Sequence, residues 1–335
     1  MDVVVLAHEK FPDGAKTAVG LLRYADHDVV AVVDRDRAGE RVRDSLPDVP
    51  DAPVVAAVED APAFDALFVG VAPIGGGFDP TWRDDVRAAL ERSADVVSGL
   101  HYFLAEDEEF ASLAARHGCD LRDVRRPPDD LTVAEGVAGE IDARIVLTVG
   151  TDCSTGKMTT TLELVAAARE RGLDAGFVPT GQTGVMIDGD GVVVDRTASD
   201  FTAGAVERML LERADHDYLF VEGQGSITHP AYSAVTCGIL HGAMPDALVL
   251  CHRAGRTVHH GYEHVRLPDP ATYVSLYEDL ARPVHETSVA GGSLHTRGLD
   301  DGAARDAVAR FARAVDVPVT DPLRFGTDAL LEAVL

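Results

Sequence analysis

The sequence predicts an α/β protein of two domains, each built around a parallel β-sheet. In both halves, short apolar runs alternate with helical segments, which is typical of parallel strands connected by helices. Two prolines followed by two aspartates, Pro127–Asp130, interrupt this pattern and indicate a linker. A chain of 335 residues is long enough to bury two cores. We therefore predict domains at residues 1–130 and 131–335.

The first half alternates between predicted strands and helices. They are strands at Val3–Ala7, Val29–Val33 and Ala66–Val71, helices at Thr17–Tyr24, Trp82–Ser93 and Glu106–His117, and a turn at Pro73–Gly77. Asp34 closes the second strand, as does the acid that holds a ribose in dinucleotide-binding folds. The first strand, however, is not followed by the G-x-G-x-x-G loop that binds a dinucleotide phosphate. We therefore predict a Rossmann-like sheet that serves as a scaffold or a substrate lid.

The second half contains a strand that runs directly into a phosphate-binding loop. Strand Ile145–Val149 precedes the segment GTDCSTGKMTT, and a helix is predicted at Thr159–Arg171. In such loops glycines turn backbone N–H groups toward a phosphate, while the helix N-terminus and a lysine add positive charge. The predicted phosphate-binding residues are Gly150, Thr151, Asp152, Cys153, Ser154, Thr155, Gly156, Lys157, Met158, Thr159 and Thr160. This domain is predicted to be a P-loop NTPase-like parallel sheet, with further strands at Gly176–Val178, Tyr218–Val221 and Ala247–Cys251.

The loop departs from the common P-loop pattern at two points. Five residues separate Gly150 from Gly156, a longer form that resembles dethiobiotin synthetase and related P-loop ligases. Met158 stands where a Ser or Thr hydroxyl normally binds Mg²⁺, and a thioether is a poor ligand for a hard cation. Thr159 lies about 100° further round the helix and does not replace that hydroxyl. The loop therefore predicts phosphate binding more firmly than Mg-ATP hydrolysis.

Further polar side chains are predicted at the same edge of the sheet, because ligands of parallel sheets bind beyond the carboxyl ends of the strands. Glu222 follows strand Tyr218–Val221 and begins a Glu-Gly-Gln-Gly segment similar to the V-E-G-A-G segment of the same ligases, whose glutamate binds Mg²⁺. Arginines can clamp a carboxylate or a phosphate through two hydrogen bonds. The loops after neighbouring strands supply the predicted substrate-binding residues Gln182, Gln224, Ser226, Arg253 and Arg256.

The charge of the chain excludes several classes of partner. Asp and Glu number 56 against 30 Lys and Arg, which gives a net charge of −26. Such an excess of acid is typical of halophilic cytosolic proteins, and it argues against nucleic-acid binding, which needs a basic surface. Neither a signal peptide nor an apolar run of membrane-spanning length is evident, and the four cysteines have no metal-site or disulfide spacing. We expect a cytoplasmic protein, a small-molecule substrate, no nucleic-acid or membrane partner, and a homo-oligomer.

A group of histidines invites a metal interpretation. His260 and His264 have the spacing of two ligands on one helix face, but Gly261 and Pro268 disfavour a helix there. We therefore expect no metal at the four histidines His252, His259, His260 and His264.

Motifs along essentially the whole chain resemble one family. They are Ala31–Asp34, Gly75–Gly77 with Trp82, Ser98–His101, Asp123–Arg125 with Pro127, the GTDCSTGKMTT loop, Thr180–Gly184, Ser199–Ala205 and Val221–Tyr232. In this order they are similar to a two-domain P-loop family associated with D-glutamate N-acetyltransferase, which occurs in bacteria and halophilic archaea. Met158 is part of that family's pattern, so the loop is not a degraded copy of an ATPase loop.

The resemblance implies a reaction in which D-glutamate and acetyl-CoA give N-acetyl-D-glutamate and CoA. Coenzyme A carries a pyrophosphate and a 3′-phosphate, so the loop can bind it without Mg²⁺. Acetyl transfer needs a base for the ammonium proton and donors for the tetrahedral oxyanion. We predict Glu222 as the base, with His229 second and His252 third, and the backbone N–H groups of Gly223–Gly225 as oxyanion donors. Arg253 or Arg256 would receive the substrate carboxylates.

Two other functions fit part of the pattern. One is an ATP-dependent ligase or kinase acting on a small amino or carboxylic acid, in which Asp152 and Glu222 would share Mg²⁺; Met158 weakens this alternative. The other is a non-catalytic protein that senses a nucleotide or coenzyme A and binds a partner through its amino-terminal domain. Tight ligand binding without turnover would favour the sensor.

Lys157 is one of only three lysines, with Lys10 and Lys16, and this scarcity indicates that it is retained for a function. Since Lys157→Ala removes a full positive charge from the predicted loop, we expect it to weaken phosphate-ligand binding by roughly tenfold or more. Calorimetric titration with acetyl-CoA and with ATP measures this change. Unchanged affinity would contradict the P-loop interpretation.

Overall fold

Each half of the chain forms a six-stranded parallel sheet in the computed structural model, which describes residues 1–73 and 75–335. The chain divides into two units. The first comprises Met1–Pro127 and Gln182–Val193, and the second comprises Pro128–Gly181 and Val194–Leu335. The predicted α/β class is confirmed, and a short segment from the second half of the sequence belongs to the first unit.

The first sheet is Rossmann-like in its strand order. Its unit contains strands β1 (Asp2–Leu6), β2 (Asp28–Val33), β3 (Val54–Val55), β4 (Ala66–Val69), β5 (Asp95–Ser98) and β6 (Leu121–Asp123), with helices α1 (Lys16–Tyr24), α2 (Val42–Ser45), α3 (Arg83–Glu91) and α4 (Glu108–His117). The order β3-β2-β1-β4-β5-β6 is typical of dinucleotide-binding sheets. Residues 3–6 of the central strand are fully buried, as expected for a parallel strand covered on both faces.

Asp34, at the carboxyl end of β2, binds backbone groups of its own unit. Its buried carboxylate accepts hydrogen bonds from the backbone N–H groups of Glu9 at 2.9 Å and Phe11 at 3.2 Å, and from that of Asp36 at 3.1 Å. Glu9 and Phe11 lie in the loop after β1, where a dinucleotide-binding fold would hold its phosphates. Asp34, which resembles a ribose-binding acid in the sequence, therefore accepts hydrogen bonds from the backbone of this loop instead.

The second sheet places the phosphate loop near its centre. Its strands are β7 (Arg144–Gly150), β8 (Ala175–Val178), β9 (Tyr218–Val221), β10 (Ala247–Arg253), β13 (Ser288–His295) and β14 (Val319–Thr320), while β11 (Val258–His259) and β12 (Tyr262–Arg266) form an antiparallel hairpin. In the order β14-β13-β10-β7-β9-β8, the loop-bearing strand β7 lies between β10 and β9. The loops after these three strands therefore meet at one edge.

The remaining helices connect these strands. They are α5 (Lys157–Glu170), α6 (Gln182–Asp188), α7 (Thr202–Leu211), α8 (Ser233–Ala243), α9 (Pro270–Ala281), α10 (Asp301–Val315), α11 (Pro322–Phe325) and α12 (Asp328–Val334). Within the described part of the chain, none of the helices has both the length and the apolar character needed to cross a bilayer.

Helix α6 belongs to the first unit although it follows β8 in sequence. The hydroxyls of Thr17 in α1 and Thr183 in α6 form a buried hydrogen bond of 2.8 Å. Arg122 in β6 donates to the carbonyl oxygen of Gly189 at 2.6 Å. A Cβ atom at Gly99 would lie 2.9 Å from Cγ of Gln182, so a larger residue there would displace the Gln182 side chain. These contacts connect the segment Gln182–Val193 to Thr17, near the start of the chain, and to Gly99 and Arg122, near the end of residues 1–127.

The predicted elements are present with small shifts at their ends. The helix predicted from Glu106 begins at Glu108, because the Asp107 carboxylate caps it by accepting the N–H groups of Glu109 and Phe110. The helix of the phosphate loop begins at Lys157, two residues before the predicted start. The predicted turn at Pro73–Gly77 contains Ile74, which lies outside the described residues.

We expect Asp34→Ala to destabilise the first unit by about 2 kcal/mol or more, because buried backbone N–H groups lose their acceptor. Chemical denaturation monitored by intrinsic fluorescence measures the loss. Asp36→Ala, which removes an exposed carboxylate two residues away, serves as the matched control. Equal stability of the two variants would show that Asp34 does not hold the loop.

Candidate functional site

The predicted phosphate loop connects β7 to α5 at the carboxyl edge of the second sheet. Gly156 takes a left-handed conformation (φ 90°) immediately before the helix, which glycine adopts without strain. The buried Lys157 ammonium donates to the carbonyl oxygens of Asp152 at 2.9 Å and Gly225 at 2.8 Å. The lysine thus joins the phosphate loop to the loop that follows β9.

Asp152 lies at the centre of a buried network within this loop. One carboxylate oxygen accepts from the Arg256 guanidinium at 2.7 Å and from the backbone N–H of His260 at 2.9 Å. The other oxygen accepts from Nδ1 of His259 at 3.1 Å. Burial alone would raise the pKa of Asp152, but the hydrogen bonds from His260, His259 and Arg256 outweigh it and lower this pKa. The carboxylate is therefore ionised, and it ties the loop to the β11–β12 hairpin.

The hydrogen bonds of His259 continue to a hydroxyl. Because Nδ1 of His259 donates to the ionised Asp152, its Nε2 accepts from the Thr228 hydroxyl at 3.3 Å. Tyr273 then donates to the Thr228 oxygen at 2.8 Å, and burial raises the pKa of Tyr273 to about 12, which keeps it protonated. Each donor in this chain has an acceptor, so the tautomer of His259 is fixed by its neighbours.

His229 lies beside this chain with its ring buried. Its Nδ1 accepts from the backbone N–H of Ala231 at 3.1 Å, so its proton is on Nε2. That nitrogen lies 3.8 Å from an Asp152 oxygen and has no hydrogen-bond partner among the described residues. Burial is the main cause that lowers the pKa of His229, so the ring is neutral.

Asp152, His229 and His259 form a compact group of three metal-ligand types, with ligand atoms within 4.8 Å of one another. Their hydrogen bonds do not suit a cation. A histidine that binds a metal through Nε2 keeps its proton on Nδ1, whereas Nδ1 of His229 accepts a hydrogen bond. The Arg256 guanidinium also contacts the carboxylate that a metal would use. These residues therefore fit a hydrogen-bond network better than a metal centre.

His252 contacts the loop from the end of β10. Its Nδ1 lies 2.7 Å from the Thr151 hydroxyl, and its ring stacks on Phe311 with centroids 5.1 Å apart. Burial and then the nearby Arg256 charge lower the pKa of His252 to about 4. The imidazole is therefore neutral near pH 7.

Glu222 lies at the same edge, directly after β9. Its Oε2 accepts from the backbone N–H groups of Thr180 at 3.3 Å and Gly181 at 3.1 Å. The next residue, Gly223, passes so close to β7 that an added Cβ would lie 1.7 Å from the carbonyl oxygen of Thr148. Only glycine fits this approach, which brings the loop after β9 against the strand that carries the phosphate loop.

The predicted substrate-binding residues differ in their surroundings. Gln224 donates to the Thr180 hydroxyl at 3.3 Å, and Ser226 is buried in the same loop. Arg256 donates to the Asp152 carboxylate and to the carbonyl oxygen of Cys153, whereas Arg253 is exposed at the end of β10. Gln182 begins α6 in the first unit.

Several residues that build this site have no recognisable signal in the sequence. Tyr277 in α9 donates to the carbonyl oxygen of Gly150 at 2.7 Å and accepts from the backbone N–H of Ile227 at 3.1 Å. Tyr273 and Thr228 complete the chain to His259, which had been considered only as a metal ligand. One local signal was available: Gly261, between two short alternating segments, is typical of the hairpin that carries His259.

Family models match both parts of the chain. A domain of unknown function described as a Rossmann-like domain, DUF1611_N, matches residues 35–127, and a P-loop domain, DUF1611_C, matches residues 132–331. A crystal structure of a DUF1611 family protein from Anabaena variabilis is 40% identical, with a TM-score of 0.94 over 99% of this chain and 98% of that one. The predicted Rossmann-like and P-loop sheets are thereby confirmed.

Two curated relatives carry a functional name. A D-glutamate N-acetyltransferase of Pseudoalteromonas sp is 36% identical over 78% of this chain and 79% of its own length. A D-glutamate N-acetyltransferase of Tritonibacter scottomollicae is 36% identical over 83% of this chain and 84% of its own length. The family resemblance inferred from the motifs is confirmed.

The lowered pKa of His252 predicts a loss of stability in acid. The unfolded chain binds a proton at this side chain near pH 6.5, whereas the folded protein does so only near pH 4, so stability falls as the pH drops between these values. Relative to His252→Asn, the wild type should lose up to about 2 kcal/mol between pH 7 and pH 5. Urea unfolding at both pH values measures this difference. His264→Asn, a control at an exposed position, keeps His252 and should lose as much stability as the wild type over this range. An equal loss in His252→Asn would contradict the assignment to His252.

Proposed function

Because the chain belongs to the DUF1611 family and is 36% identical to two D-glutamate N-acetyltransferases, we propose that it transfers an acetyl group from acetyl-CoA to the amine of D-glutamate. The identity over more than three quarters of the chain is the observation that carries the proposal. The base takes one proton from the ammonium group and passes it to solvent, the amine nitrogen forms a bond to the thioester carbonyl carbon, and the carbon–sulfur bond breaks. The second proton lost by nitrogen goes to the sulfur, so coenzyme A leaves as the thiol. The chain is accordingly an acyltransferase.

The phosphate loop binds the phosphates of the donor in this proposal. Lys157 and the N-terminus of α5 supply positive charge at the loop, and the glycines allow its backbone N–H groups to approach an anion. Met158 supplies no hard oxygen ligand, and the Asp152 carboxylate is engaged by Arg256 and His259. The pyrophosphate of coenzyme A can bind without Mg²⁺ held by Met158 or Asp152. This favours coenzyme A over Mg-ATP as the ligand.

Glu222 is the proposed base for the substrate ammonium group. All three candidates lie near the loop, but the carboxylate of Glu222 has acceptor sites on two oxygens, whereas a neutral imidazole has a single acceptor nitrogen. His229 carries its proton on Nε2 and accepts a backbone hydrogen bond at Nδ1. His252, with a pKa of about 4, accepts a proton weakly near neutral pH. The backbone N–H groups of Gly223–Gly225 follow Glu222 directly and are the proposed donors to the oxyanion.

The D-glutamate carboxylates need polar partners near this base. Gln224 and Ser226 follow Glu222 in the same loop and are proposed to contact them. The earlier assignment of Arg256 is weakened by its bonds to Asp152 and Cys153, which give it a part in the loop itself. The role of Gln182 in substrate binding remains a prediction.

A paired turnover assay tests the proposed function. Wild-type protein in molar KCl, where salt screens the repulsion within a chain of charge −26, is given acetyl-CoA with D-glutamate or Mg-ATP with D-glutamate. We expect D-glutamate-dependent release of the CoA thiol and no ADP. ADP release alone would replace the proposal with a ligase or kinase, and binding without either product would indicate a sensor.

A Glu222→Gln variant tests the proposed base in the same assay. The pantetheine arm separates the pyrophosphate from the thioester, so Glu222 meets the acetyl group only when the arm folds back toward the loop. We expect kcat to fall by roughly 10²-fold or more, with little change in the KM for acetyl-CoA. A rise in KM at constant kcat would place Glu222 in donor binding instead.

A further inference from the structure

The carboxyl ends of β10 and β13 carry basic side chains next to the phosphate loop. Arg253, the last residue of β10, is paired in register with His295, the last residue of β13, and Arg297 follows two residues later. We call Arg253, His295 and Arg297 the basic cluster. The chain has 56 acidic and 30 basic residues, so such a group differs in character from the predominantly acidic sequence.

The basic cluster adjoins the phosphate loop directly. Strand β10 pairs with β7, and Cys251 lies opposite Gly150, the first residue of the loop. A Cβ atom added to Gly156 would lie 3.9 Å from Cβ of His295. The cluster therefore lies on the β10 and β13 side of the N-terminus of α5, while Glu222 lies on the β9 side.

Two buried acidic side chains near this edge of the sheet, Asp321 and Asp152, accept hydrogen bonds from other groups. Asp321 accepts hydrogen bonds from the backbone N–H and the hydroxyl of Thr296, and Asp152 is bonded to Arg256. Burial lowers the pKa of His295; Asp321 opposes this shift, and the charges of Arg253, Arg297 and Arg256 reinforce it. Arg253 and Arg297 both lie within electrostatic reach of His295, and both are exposed to solvent.

We propose that the basic cluster binds the 3′-phosphate of coenzyme A. The inference rests on the proposed function, in which the loop holds the pyrophosphate of acetyl-CoA. The pyrophosphate and the 3′-phosphate are carried by the 5′ and 3′ positions of one ribose, so a donor held in the loop places its 3′-phosphate within reach of a neighbouring loop. A phosphate monoester offers nearly two negative charges and three acceptor oxygens, which match the planar donors of two arginines.

This assignment gives Arg253 a role in binding the donor instead of the D-glutamate carboxylates. It also supplies a means of discrimination, since ATP has a hydroxyl where coenzyme A has the 3′-phosphate. The basic cluster then selects between two ligands that present similar groups to the phosphate loop. Specificity for coenzyme A comes from residues outside the loop motif.

Calorimetric titration with acetyl-CoA and with 3′-dephospho-acetyl-CoA tests the assignment. We expect the wild type to bind acetyl-CoA about tenfold or more tightly than the dephospho form, as a charge-assisted hydrogen bond predicts. Arg253→Gln and Arg297→Gln should each reduce this preference, and the double variant should abolish it with little change in affinity for the dephospho form. Arg313→Gln, an equal charge change at an exposed position in the last turn of α10, should retain the preference.

Ionic strength separates a direct contact from long-range attraction. In 1 M KCl the Debye length is about 3 Å, so the attraction of a distant basic surface is largely screened while a bidentate contact persists. The preference for the 3′-phosphate should therefore survive at high salt. Its disappearance there would overturn the assignment.

Other outcomes are equally decisive. If wild-type protein binds both ligands equally but releases CoA thiol with D-glutamate, the proposed function stands and the 3′-phosphate site is wrong. If Arg253→Gln and Arg297→Gln weaken both ligands by the same factor, the cluster is not a 3′-phosphate site. If the wild type binds neither ligand, the proposed donor and the inferred site both fail.

Discussion

The phosphate loop depends on one buried carboxylate. An unpaired charge in the interior of a protein is strongly unfavourable, and Asp152 is tolerated because Arg256, His259 and the His260 backbone all donate to it. These partners come from the β11–β12 hairpin and the segment before it, so the same interactions that compensate the charge also hold the hairpin over the loop. Lys157 and Tyr277 donate further hydrogen bonds to backbone carbonyl oxygens of the loop and so fix its conformation.

Binding a phosphate and hydrolysing one make different demands on such a loop. The first needs glycines, a helix N-terminus and positive charge, all of which the segment 150–160 provides. The second commonly adds a hydroxyl for a metal ion, and here Met158 occupies that position while Asp152 is committed to the network. In the function proposed above, a fold often used to cleave nucleotides instead holds a donor whose reactive bond lies far from its phosphates.

Local motifs account for the part of the structure that the sequence predicted. Gly150–Thr160 and the segment after β9 were recognisable because their residues are contiguous and their spacing reflects backbone geometry. Short apolar runs likewise predicted the parallel strands β1, β2, β4, β7, β8, β9 and β10. His259, Thr228 and Tyr273 come together only through tertiary contacts between β11, the loop after β9 and α9, so no short stretch of sequence carries their association. Short strands such as β3 and β14 gave too little pattern to be predicted.

Helix α6 has a consequence for the covalent organisation of the molecule. The chain passes from one unit to the other at Pro127, again at Gly181 and a third time at Val193. A single cut in the Pro127–Asp130 segment would therefore leave residues 1–127 without a peptide link to the helix that completes their unit, held to it by the Thr17–Thr183 and Arg122–Gly189 bonds and by packing. The two units cannot be separated by one cut in the sequence, because a fragment that ends at the linker lacks α6, which belongs to the first unit.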